Sequence, residues 1–117
     1  MSWLNKAEGF LDTNAAIAYC GDDEEFYFEL LQDYVNENKI NDINALFKAK
    51  DWKEYKVFVH ALKSTSLMIG ATDLSEKAKQ LEFACKEDRI DYVLANHEDC
   101  MKDYSDMLER IQQITCN

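Results

Sequence analysis

Residues 51–88 read DWKEYKVFVHALKSTSLMIGATDLSEKAKQLEFACKED. Asp51 is a favoured helix N-cap, and the run behind it places apolar residues at three- and four-residue intervals. A helix is expected from about 52 to 70, closed by Gly70. The next starts at Thr72 or Asp73, where Asp73 and Glu76 have capping-box spacing, and ends near Asp88. Leu74, Ala78, Leu81 and Cys85 form its apolar stripe. Helices joined by so short a reversal lie side by side in opposite directions.

The flanking sequence extends this pattern. LDTNAAIAYCG (residues 11–21) predicts a short helix, with Asp12 or Thr13 as N-cap and Gly21 as its stop. The acidic turn Asp22–Glu25 suits the positive end of a helix dipole. Phe28, Leu31, Val35, Ile43, Leu46 and Phe47 can share one face, so a single helix over about 23–49 is expected. A break near Asn41 is the alternative, because NENKIND is polar. From about 89 to 115, Val93, Leu94, Met101, Tyr104, Met107, Leu108, Ile111 and Ile114 recur at helical intervals. Residues 1–11 read as a tail or a short docking segment. The expected fold is all-α: an antiparallel up-and-down four-helix bundle over residues 12–117 with a short extra N-terminal helix.

Composition agrees. The chain has 117 residues, enough for one domain with its own core, no proline and three glycines. A net charge of −10 argues against nucleic acid or an anionic membrane as partner. No apolar run approaches the roughly 20 residues of a membrane span. The first ten residues hold neither a basic leader nor an apolar stretch, so a cytoplasmic location is expected. Cys20, Cys85, Cys100 and Cys116 contain no C-x-x-C pair and read as reduced thiols. His97 and Cys100 stand three apart but lack further ligands, so no metal site is expected, and His97 reads as a surface histidine.

His60 reads differently. At 100° per residue, Tyr55, Phe58, Leu62 and Ile69 fall within ~40° of the direction opposite His60 and form the core face. Lys53, Lys56, Lys63, Ser64 and Leu67 fall within ~60° of His60 itself. The histidine therefore points outward. Between residues 48 and 63, five lysines face only Asp51 and Glu54, a basic island in an acidic chain. A neutral imidazole nitrogen is a nucleophile, and Lys63, one turn along, can hold the oxygens of a phosphoryl group. If the chain reverses at 70–72, positions equidistant from the reversal come level, and His60 lies near Glu82. That carboxylate can accept one ring proton and leave the other nitrogen free, with Lys86 adding charge on the same side.

His60, Leu62, Lys63, Ser64, Ser66, Gly70 and Ala71 together resemble the motif of the histidine-containing phosphotransfer (HPt) domain family. LSEKAKQLE (74–82) and GDDEEFYFELLQDYV (21–35) resemble the segments that flank it there, and the similarity runs from about 12 to 115. Ser64 stands where that family usually has glycine, which narrows the space beside the ring. The resemblance implies a phosphorelay intermediate that is not itself an enzyme. His60 would take a phosphoryl group from a receiver-domain phospho-aspartate and pass it on, with Lys63 steadying it and Glu82 orienting the ring. It implies a response-regulator receiver or hybrid histidine kinase as partner, docking across Lys53, Lys56, Ser64, Leu67 and Lys86. Mg²⁺ would sit on the receiver, with no cofactor on this chain, and Gly70 would be structural. A non-catalytic helical adaptor that binds a receiver through the same face is the alternative.

Overall fold

A computed structural model describes residues 3–115, which are helical throughout apart from connections. The elements are α1 (Trp3–Ala7), α2 (Thr13–Tyr19), α3 (Glu24–Asn36), α4 (Ile40–Ala49), α5 (Trp52–Met68), α6 (Thr72–Lys86) and α7 (Ile90–Thr115). Together they make an all-helical bundle about one core, 45 × 24 × 19 Å overall. The α5–α6 hairpin is its most extensive pairing, and α7 lies against α6, α3, α1 and α4. Cys116 lies outside the described residues.

Three aspartates cap as their positions suggest. Asp12 accepts from the Ala15 N–H, Asp23 from Phe26 and Asp51 from Glu54, at 3.1–3.3 Å. Each satisfies an amide that helix geometry leaves without a partner. Tyr27 and Tyr34 then fasten α3 across α5: the Tyr27 hydroxyl donates to the Ile69 carbonyl at 2.7 Å, and Tyr34 pairs with the buried Ser66 hydroxyl at 2.8 Å. Residue numbers rise along α3 as they fall along α5, so these two helices run antiparallel. The core face expected on α5 is present in Tyr55, Leu62 and Ile69, with Phe58 half-buried.

Several expectations change. In place of a single helix over 23–49 the alternative holds: there are two helices, broken at 37–39 rather than near Asn41. There the Asn38 side chain accepts from the Ile40 amide at 2.9 Å, and the Lys39 amide donates to the Tyr104 hydroxyl at 3.1 Å. Side-chain acceptors replace the helical carbonyls at that point. The capping box at Asp73 does not form. Ala71 occupies the N-cap position without a side-chain cap, and Thr72 and Asp73 are already helical. Gly70, at φ +88°, turns the chain early enough for α6 to begin before Asp73 is reached.

Residues 3–11 dock on the bundle, the second of the two readings given for this segment. Ala7 and Leu11 are buried, and the Trp3 ring packs 5.0 Å from Phe28 and 5.6 Å from Tyr27. The expected stripe on α7 holds, except that Leu94 is exposed and Met107 only partly covered.

The reading of His97 as a surface residue is wrong. It is 2% exposed, its Nδ1 lies 2.8 Å from the Tyr55 hydroxyl and its Nε2 2.8 Å from Asn44 Oδ1. Its ring stacks on Phe47 at 3.8 Å. An amide oxygen can only accept, so Nε2 carries the proton and Nδ1 accepts from Tyr55. Burial pulls this imidazole down to about 4 and keeps it neutral. The residue ties α4, α5 and α7 together.

Candidate functional site

The middle of the α5–α6 hairpin brings the predicted residues together. His60 projects from α5 with its side chain 57% exposed, while the facing Glu82 side chain on α6 is 3% exposed. His60 Nδ1 and Glu82 Oε2 are 2.6 Å apart. Lys63 Nζ donates to the other carboxylate oxygen at 2.8 Å, and Lys86 Nζ lies 3.3 Å from Oε2. The level pairing of positions 60 and 82 is therefore as the reversal at Gly70 demands.

Glu82 is the hub. Burial alone would favour its neutral form, but hydrogen bonds from Lys63, His60 and Lys86 outweigh that and hold the carboxyl down at about 2. An ionised carboxylate only accepts, so the proton shared with His60 resides on Nδ1. Nε2 is left bare toward solvent, without a protein partner among the described residues. In its neutral form the ring therefore presents the Nε2 lone pair at the surface, on a cluster that holds two ammonium groups.

Support for this geometry comes from residues the sequence reading missed. The Ser75 hydroxyl, nearly buried, donates to the Lys63 carbonyl at 2.8 Å and pins α6 to α5 one turn from His60. Its signal was present: Ser75 and Glu82 are seven residues apart, two turns on one stripe. Gly70 serves as more than a helix stop. A Cβ there would meet the Asp12 carbonyl oxygen at 2.5 Å, and the Asp12 amide donates to the Gly70 carbonyl at 2.9 Å. The glycine lets the segment before α2 press on the α5–α6 turn.

The other predicted residues divide. Ser64 is exposed, and its hydroxyl turns back to the His60 carbonyl at 3.2 Å, away from the ring tip. Leu67 is 54% exposed on the same face. Lys53 is exposed and Lys56 half-buried, and neither forms an ion pair among the described residues. Lys86 is drawn into the Glu82 cluster and lies over the Phe83 ring. On the other flank, Val57, Phe58 and Ala61 of α5 join Leu30 and Tyr34 of α3 around an apolar groove of about 460 Å³. No helix of the described residues is long and apolar enough to cross a membrane.

Comparison with known proteins bears on the same hairpin. The sequence is similar to the phosphorelay intermediate protein rdeA of Dictyostelium discoideum, at 24% identity over 108 residues. That match takes in 91% of this chain and 42% of the relative, so the chain spans less than half of the relative's length. No solved structure matches. The sequence model of the Hpt domain matches residues 28–114, which run from α3 to the end of α7 and contain His60, Lys63, Gly70 and Glu82. The chain belongs to the Hpt domain family, whose role is phosphotransfer in two-component signalling.

Proposed function

We propose that this chain is a phosphocarrier in which His60 Nε2 accepts a phosphoryl group from the phospho-aspartate of a receiver domain and passes it to another acceptor. The observation that carries the reading is the surface imidazole whose inner nitrogen is fixed by a buried carboxylate while its outer nitrogen stays bare. Phosphoryl transfer depends chiefly on positioning and charge neutralisation. A rigid helix carrying the nucleophile, with Lys63 one turn away, supplies both. In this reading the receiver supplies Mg²⁺ and the acidic pocket, and the chain acts as the intermediate that carries the phosphoryl group. Lys53 and Lys56, free of ion pairs within the described residues, face that acidic partner, and Leu67 with Val57 and Ala61 offers it an apolar seat.

Incubation with a phosphorylated receiver and Mg²⁺ tests the reading. Acid-labile, base-stable phosphate should move to the chain, and His60→Gln should abolish it with the helical fold intact. Receiver binding without any phosphate transfer would instead assign the chain as an adaptor.

A further inference from the structure

The cluster around Glu82 carries an inference that rests on the phosphocarrier reading and deepens it. When the ring is neutral, two ammonium groups and one carboxylate leave the cluster with one positive charge in excess. A phosphoryl group on Nε2 brings two negative charges. If Nδ1 keeps its proton, the phosphorylated ring is a cation and the cluster becomes neutral.

We propose that Glu82 is the counter-charge of the phosphorylated ring, holding the proton on Nδ1 throughout the transfer cycle. The steps then balance without moving a proton. In the forward direction the Nε2 lone pair attacks the phosphorus of the phospho-aspartate. The P–O bond breaks, its electron pair leaves with the aspartate carboxylate, and a phosphoimidazolium remains beside Glu82. In the reverse direction an acceptor oxygen attacks phosphorus, the P–N pair returns to Nε2, and the ring departs as neutral imidazole. Lys63 and Lys86, both on Glu82 at rest, turn to the phosphoryl oxygens while the carboxylate keeps the ring. The 2.6 Å contact from a nearly buried oxygen is what fixes that division of partners.

Among the further charged or titratable groups of the two helices, the carboxylates Glu54, Asp73 and Glu76 make no hydrogen bond to His60, and Cys85 lies within electrostatic reach of Lys56 and Glu82. Burial lifts the Cys85 thiol and keeps it neutral, whereas Lys56 is a further cation. The acceptor that meets Nδ1 among the described residues is Glu82, and it holds the proton. A phosphorylated ring that loses this proton is a poor leaving group, which is why phosphohistidine resists base. Glu82 should therefore keep the chain a fast donor at alkaline pH.

Phosphoramidate phosphorylates histidine without a receiver, so it isolates this step from the question of partners. Hydrolysis of the phosphorylated chain would be followed by ³¹P NMR from pH 6 to 9 in wild type and Glu82→Gln. The alkaline fall in rate should come about one pH unit or more lower in the variant. At pH 8 the variant should lose phosphate about tenfold more slowly. Superimposed profiles would overturn the proposal. A measurement needing no variant is ¹⁵N NMR of ring-labelled, phosphorylated wild type. Nδ1 should still bear its proton at pH 8, and a bare Nδ1 there would overturn the proposal equally. Failure of every receiver to label His60 would contradict the phosphocarrier reading and leave these two results standing.

Discussion

Glu82 and His60 lie on adjacent helices, one side chain almost wholly buried and the other more than half exposed, with 2.6 Å between carboxylate and imidazole. Burial of the acceptor fixes the ring, and exposure of the ring leaves its far nitrogen free. Neither alone would make a usable surface nucleophile.

Lys63 is the next test of that arrangement. Its Nζ bonds Glu82 at rest and stands one turn from the ring. Lys63→Ala should slow transfer from a phosphorylated receiver by at least roughly tenfold, because one charge stabilising the moving phosphoryl group is lost. Stability should fall by only about 1 kcal/mol, since Glu82 retains His60 and Lys86. Stopped-flow transfer and urea unfolding on one preparation separate the two effects. An unchanged rate would remove Lys63 from the site.

Acid should weaken the bundle in two stages. The buried His97 imidazole is held down at about 4, against 6.5 for an ordinary histidine, by desolvation. The unfolded chain takes up that proton first, so stability falls as pH drops from about 6.5 to 4, by roughly 3 kcal/mol in all. Glu82, held at about 2 against an ordinary 4.5, adds a second loss as pH falls from about 4.5 to 2. Urea unfolding at stepped pH measures both. In His97→Gln the loss between pH 6.5 and 4.5 should disappear, and an unchanged slope would show that His97 is not its source.

Gly70 tests the turn that brings Glu82 level with His60. An alanine there must adopt φ near +88° and place its Cβ against the Asp12 backbone. Gly70→Ala should cost more than about 2 kcal/mol. The melting temperature should drop by roughly 8 °C or more, while transfer per folded molecule stays close to wild type. A variant as stable as wild type would mean that the turn relaxes without cost.

Much of the site was legible because its determinants are local. The Asp51 cap, the apolar period of α5 and the glycine at the reversal lie within one hairpin. Helical pitch alone therefore places His60 outward and Glu82 beside it. His97 was misread for the opposite reason. Its partners Asn44, Phe47 and Tyr55 come from two other helices, and nothing in the residues around position 97 announces them. The break at 37–39 depends likewise on Tyr104, some 65 residues away, and the docking of α1 on aromatic rings of α3. Ala71 starts α6 because Gly70 turns so tightly, which a scan for capping residues does not register.

Which atom of His60 carries the phosphoryl group is open to direct measurement. After transfer from a phosphorylated receiver, NMR of the ¹⁵N-labelled ring coupled to ³¹P identifies the bonded atom. Phosphorus should be found on the uncovered Nε2 of His60. Phosphorus on Nδ1, or on another residue, would rule out Nε2 as the phosphoacceptor.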